Sequence, residues 1–322
     1  MNRKLHIIAL AILILFLMPV GAQAAEFLIP GGQIIGLQLH NGALTVAAFD
    51  DVLGSSARSA GFKIGDKILS IDGQPVSCAE DIRAALTRTG SPVTVDIQRS
   101  GKNRSLELTP RQTENGPRLG IHLKQGITGI GTVTWYDPDS GAFGTLGHGV
   151  SDSGGDLLKM TGGNAYHAQV ISVKKGKCGE PGLLKGSAEA LGICGSLLKN
   201  TPQGVFGVTK QGWQGKPLPV AGYEEVHTGN AVIRSTVAGS TVQEYSVEIL
   251  KIYPEDRRDG RNFLLKVTDP ELLTATGGIV QGMSGSPILQ DGRLVGAVTH
   301  VLVNDPTAGY GIFIENMLDA AA

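Results

Sequence analysis

Gly282-Met283-Ser284-Gly285-Ser286-Pro287-Ile288 is the stretch on which the reading of this chain turns. A serine that attacks a carbonyl needs a tightly turned, exposed backbone, so that its Oγ reaches the substrate while nearby N–H groups face the developing oxyanion. Glycine two positions before Ser284 permits that turn, and its N–H joins that of Ser284 as a donor pair. Gly285 lets a substrate backbone approach closely. Pro287 and Ile288 then open a strand, Asp291-Gly292 makes a turn, and Leu294 to Val301 returns as the next strand. Glycine–serine turns also occur in ordinary loops, so the assignment requires a base elsewhere in the chain.

Six of the seven histidines offer little for that role. His6 lies in an apolar leader, and His40 and His122 sit at strand ends. His167 and His227 lie in polar stretches, where a solvated or structural role is the ordinary one. His300 is considered below for a different role. His148 differs, because Gly144-Thr145-Leu146-Gly147-His148-Gly149-Val150 presents it between glycines just after a predicted hairpin. Neutral imidazole is the right general base near pH 7. His148 precedes Ser284 by 136 residues, a separation that suits two barrels meeting at a seam. The serine heptad resembles the nucleophile loop of chymotrypsin-like double β-barrels, which implies an oxyanion hole formed by the Gly282 and Ser284 N–H groups.

Composition agrees with a β-rich exported protein. Of 322 residues, 41% are hydrophobic and 18% charged, with a formal net charge of -1. These values exclude a disordered polyelectrolyte and a broad nucleic-acid surface. Glycine reaches 46 residues, about twice the usual share of roughly 7%, without a collagen period, and it punctuates short Val/Ile/Thr runs. Arg3 and Lys4, the apolar run Ile7 to Val20 and Ala22-Gln23-Ala24 read as a secretory signal over residues 1–24, cleaved after Ala24 or retained as an anchor. Cys78, Cys178 and Cys194 form no disulfide framework; Cys178 and Cys194 either pair or remain buried thiols. No Cys/His spacing suggests a metal site, and no cofactor is expected.

The segment Ala57 to Gly73, with Gly61-Phe62-Lys63-Ile64-Gly65-Asp66-Lys67-Ile68 at its centre and the turn Asp72-Gly73 at its end, resembles the bacterial PDZ pattern. The resemblance implies a PDZ domain over residues 28–110. Its carboxylate-binding loop would be Gly31 to Gly36, and its peptide-pairing strand Ile35, Gly36, Leu37, Gln38 and Leu39. A helix Ala79 to Thr87, with Ser77 as N-cap, would form the other wall. The polar stretch 111–117, bracketed by Pro110 and Pro117, reads as a linker to a peptidase domain over 118–322. The expected architecture is mainly β: an N-terminal PDZ domain followed by a chymotrypsin-like double β-barrel.

The His148 loop, the run Gly278 to Pro287, and Gly296-Ala297-Val298-Thr299-His300-Val301 with Asn304-Asp305-Pro306 resemble the stage IV B sporulation peptidase family. That resemblance implies an exported serine endopeptidase acting between the two membranes of a forespore. Its implied partner is the membrane-associated regulatory subunit of an intramembrane metalloprotease complex, whose cleavage lets a sigma factor precursor mature; self-cleavage is also implied. A peptide or C-terminus would occupy the PDZ groove, and nucleic acid is not an expected partner. The family places the third triad member at Asp269, which Pro270 biases toward an extended backbone. Asp137, Asp139 and Asp152 remain competitors. His300, on the strand after the nucleophile, would hydrogen-bond a polar or acidic substrate side chain, or else be a satisfied core histidine. Two other readings are an envelope quality-control protease, in which the PDZ follows the protease rather than preceding it, and a catalytically idle scaffold.

Overall fold

The computed structural model describes residues 27–88, 92–152, 155–188, 192–254 and 260–322. The expected signal over 1–24 lies outside the described residues, among which no helix is long and apolar enough to cross a membrane. Strand β1 (Phe27–Pro30) leads into β2 (Ile34–Phe49), helix α1 (Ser55–Ser59), β3 (Lys67–Ile71), β4 (Gln74–Pro75), helix α2 (Ala79–Arg88), β5 (Val93–Arg99) and β6 (Lys102–Leu108). A ribbon of β7 (Arg111–Thr113) and β8 (Gly116–Arg118) returns the chain to β9 (Ile121–Tyr136). Next come β10 (Ala142–Thr145), β11 (Gly162–His167), β12 (Gln169–Lys174), β13 (Leu183–Ser187), β14 (Ile193–Thr201), β15 (Gly204–Val208) and β16 (Leu218–Pro219). The last third holds β17 (Gly229–Ser235), β18 (Gln243–Ile252), β19 (Phe263–Val267), α3 (Pro270–Thr276), β20 (Pro287–Gln290), β21 (Arg293–Leu302), β22 (Asp305–Phe313) and α4 (Ile314–Ala321).

Two barrels result. Antiparallel pairings run β2–β9–β10–β15–β14–β11 and back to β2, closing a first barrel. The second is the closed barrel β17-β18-β19-β22-β21-β20. Alternating apolar residues fill both, as period-two patterning requires: Ile35, Leu39, Val133, Phe143 and Leu197 in the first, Ile233, Ile249, Phe263, Leu265 and Ile288 in the second. Helix α4 closes the seam, burying Ile314, Met317 and Leu318 against Trp135 and Phe206 of one barrel and Leu294 and Ile312 of the other.

The PDZ module grows out of the first barrel rather than preceding it. Strand β2 pairs with β9 from Ile34↔Thr132 to Phe49↔Ile121, with a register shift between Leu39 and Leu44. Ile34 to Leu39 and Ile127 to Thr132 belong to the barrel, whereas Leu44 to Phe49 and Ile121 to Gln125 continue into the PDZ sheet. There Leu44, Val46, Ile68, Ile71, Val95 and Ile97 pack against Ile82 and Leu86 of α2. The expected PDZ span 28–110 is therefore corrected at both ends: residues 28–39 are barrel, and residues 111–125 complete the module. The expected linker 111–117 is the β7–β8 ribbon, and the span 118–322 lacks the β1 and β2 residues that its first barrel needs.

Inside the module the expected hairpin turn holds and the expected helix cap does not. Asp72 and Gly73 have φ of 47° and 75°, the two positive values that a tight hairpin turn demands. Asp66 of the Gly-Asp pair is buried and meets Arg99 at 2.6 Å. Burial alone would raise its pKa, but the Arg99 side chain and the Lys63 N–H hold the carboxyl below its ordinary value. Ser77 does not accept a helix N–H; its hydroxyl donates to Asp81 at 2.9 Å.

Candidate active site

His148 follows β10 through a sharp bend in which Leu146 and Gly147 have φ of 70° and 69°. A leucine in that region is strained, and the bend turns the imidazole out of the strand toward the seam. Beyond it, Asn200 pins the loop: its Oδ1 accepts from Val150 N–H, and its Nδ2 donates to Val150 O, each at 2.9 Å. Ser284 lies on the turn before β20. Gly285, with φ 95°, could carry no side chain, because a Cβ there would lie 2.1 Å from Thr132 O and 2.5 Å from Leu146 N. The two barrels thus touch through backbone directly behind Ser284.

His148, Ser284, Gly282 and His300 line one cavity of about 400 Å³ at this seam. The Ser284 hydroxyl donates to Thr299 O at 2.9 Å; no hydrogen bond joins it to His148, so attack requires rotation about its Cα–Cβ bond. Nδ1–H of His148 donates to Gly149 O at 2.9 Å, which leaves Nε2 with the lone pair. Burial lowers the pKa of this imidazole, against a smaller opposite pull from the Gly149 carbonyl. Gly282 and Ser284 N–H groups have no partner among the described residues. Behind them, Leu184 N–H donates to Gln281 O at 2.8 Å and Ser286 N–H to Met283 O at 2.9 Å. In a planar trans peptide the N–H points opposite to the C=O, so both orphan donors face away from these anchors.

The acid of the expected triad is not at this site. Asp269 is the N-cap of α3: its Oδ1 accepts from Glu271 and Leu272 N–H, both at 3.0 Å, and its Oδ2 from Ser246 N–H at 3.3 Å. The Asp-Pro-Glu order that opens α3 is a capping signature, and it accounts for the carboxylate completely. Asp137 is likewise occupied by its own turn, accepting from Asp139 N–H at 2.9 Å. Among the described residues no carboxylate bonds to the His148 ring, whose hydrogen bond goes to Gly149.

His300 stands beside His148, with ring centroids 5.4 Å apart and its Nδ1 2.9 Å from Thr299 Oγ1. The cavity around it is walled by aliphatic side chains, among them Leu37, Leu39, Ile130, Val280 and Val301. Leu37 and Leu39 thus line the cavity that His148 and Ser284 share. The expected peptide-pairing strand Ile35, Gly36, Leu37, Gln38 and Leu39 is corrected: β9 occupies one of its edges and β11 the other, leaving none for a ligand.

A groove of about 150 Å³ does lie beside α2, but its second wall is Pro117, Arg118, Leu119, Ile121 and Leu123. Ile121 to Gln125 pairs with β2 on one side only. The groove strand therefore comes last in the module, after the helix. Its sequence signal was Leu119-Gly120-Ile121, a glycine turn leading into an alternating strand. Asn200 and Leu184 carried no local signal, since each acts on a loop far away in sequence. Among the described residues no three His, Cys, Asp or Glu side chains gather as a metal site.

The family described as SpoIVB peptidase S55 matches residues 115–318, and a PDZ domain family matches 52–99. Among curated relatives, a putative zinc metalloprotease of Agrobacterium fabrum (strain C58 / ATCC 33970) is 36% identical over 109 residues, or 34% of this chain and 28% of the relative. A probable periplasmic serine endoprotease, DegP-like, of Rhizobium meliloti (strain 1021) is 36% identical over 136 residues, or 34% of this chain and 26% of the relative. The matches span about a quarter of the length of these relatives. A protease from M. tuberculosis solved in its active form aligns over 61% of this chain and 75% of its own, with 14% identity and a TM-score of 0.37.

Proposed function

The chain belongs to the SpoIVB peptidase S55 family, and on that premise we propose that it is a serine endopeptidase in which Ser284 is the nucleophile, His148 the general base, and the Gly282 and Ser284 N–H groups the oxyanion donors. Ser284 Oγ turns from Thr299 O toward His148 Nε2 and gives up its proton as it attacks the scissile carbonyl. The tetrahedral oxyanion is held by the two N–H groups, and the imidazolium returns its proton to the leaving amine. Water then repeats the sequence on the acyl-enzyme. Gly149 O, rather than a carboxylate, sets the tautomer and ring direction, which makes the site a dyad supported by a backbone dipole. The observation that carries this reading is that His148, Ser284 and two unpartnered N–H donors share one cavity.

The substrate is a protein, captured as an extended segment along Ile121 to Gln125, with Arg118 near its carboxylate. The site works outside the cytoplasm, a placement supported by relatives named as periplasmic endoproteases. In a sporulating cell, the membrane-associated regulator of an intramembrane protease is the substrate that the family points to, and the chain also cuts itself. A fluorophosphonate probe labels wild type and not Ser284→Ala, whose turnover falls by up to about 10⁶. Labelling that persists in Ser284→Ala places the nucleophile elsewhere. Purified wild type that stays as intact as Ser284→Ala removes self-cleavage.

A further inference from the structure

The nucleophile loop is tied to the opposite barrel by side chains as well as by backbone. Thr132, on β9, donates its hydroxyl to Gly282 O at 2.8 Å and its N–H to Ser284 O at 3.0 Å. These two carbonyls alternate with the two carbonyls that Leu184 and Ser286 hold. Thr132 is fully buried, and its own carbonyl accepts from Thr145 Oγ1 at 2.6 Å, so its orientation is fixed from behind. Gly282 sits at φ 100°, where a glycine has wide rotational freedom. A Gly282 carbonyl deprived of this donor loses the side-chain bond that holds its peptide plane.

We propose that Thr132 is a positioning residue for the oxyanion hole: its hydroxyl holds the 282–283 peptide, the link between the two peptides that carry the Gly282 and Ser284 N–H donors. This role rests on Ser284 being the nucleophile. Thr134 provides an internal comparison. It is equally buried, and its hydroxyl donates to Gly285 O at 2.8 Å, past the peptides that carry the oxyanion donors.

The test uses the full chain. Thr132→Val, of nearly the same shape, is expected to lower kcat by about 10- to 100-fold with KM little changed, and to slow fluorophosphonate labelling by a similar factor. Thr132→Ser restores most of both. Thr134→Val is expected to lower the melting temperature as much as Thr132→Val while retaining most of kcat. Labelling of Thr132→Val at the wild-type rate, failure of serine to rescue, or an equal kcat loss in Thr134→Val overturns the proposal. Should the valine variant not fold, Thr132→Cys, with its weaker donor, must fall between serine and wild type on one side and inactivity on the other; wild-type rates in it overturn the proposal. A wild-type chain that takes up no label at Ser284 overturns the catalytic reading itself, and this role with it.

Discussion

A partly buried imidazole without a carboxylate partner behaves differently from one in a charged triad. Burial disfavours the charged form, so the pKa of His148 lies below the ordinary 6.5. The base must be neutral to accept the Ser284 proton, and a lowered pKa keeps it neutral to lower pH. The acid limb of kcat/KM is therefore expected to have its midpoint below 6.5, measured with a small ester substrate, and to vanish as a distinct limb in His148→Ala. A midpoint at or above 6.5 would show that a negative charge reaches the ring in the free enzyme. The glycine-flanked loops of His148 and Ser284 were legible as such, and the structure brings both residues to one cavity. Asp269 was misread because one residue type serves two ends, orienting a histidine or capping a helix, and Pro270 followed by Glu271 belongs to the second. Thr132 could not be read at all, since a buried threonine in a Val/Thr-rich strand looks like strand propensity.

At the scale of elements, α2 and the first half of β9 form a groove with an apolar floor and two guanidinium-bearing rims, Arg83 and Arg118, both exposed. An extended peptide ending in an aliphatic residue and a free carboxylate fits that pattern. Replacing both arginines by glutamate is expected to weaken such a peptide about tenfold in fluorescence anisotropy, each exposed charge being worth roughly 0.2–1 kcal/mol. The difference should shrink as salt screens it; a salt-independent loss, or none, would exclude Arg83 and Arg118 as the carboxylate-facing rim. Short strands, the helix over 79–88 and the hairpin at Asp72-Gly73 were visible in the sequence because each has a local signature. The pairing partners of those strands were not. Ile34 to Leu39 has the alternation of any half-buried strand, and only its neighbours β9 and β11 decide that it belongs to the barrel.

For the whole molecule, the shared hairpin sets where the chain tolerates a break. A fragment starting at residue 118 lacks β1 and β2, which opens the first barrel between β9 and β11 and removes Leu37 and Leu39 from the cavity wall. It is expected to show no cooperative melt and no fluorophosphonate labelling. Leu39 and Ile127 face each other across the ladder, so replacing 40–126 by Asn-Gly makes a two-residue hairpin. That shortened chain is expected to melt cooperatively and to retain labelling of Ser284. A well-folded 118–322 fragment, or an unfolded shortened chain, contradicts this account. A graft that swaps the ligand-reading cassette for another must accordingly be spliced at the tip of a β-ribbon, entering and leaving through adjacent positions, and cannot be appended at a chain end. Any load placed on that cassette travels down two strands, one of which runs through the threonine that holds the Gly282 carbonyl.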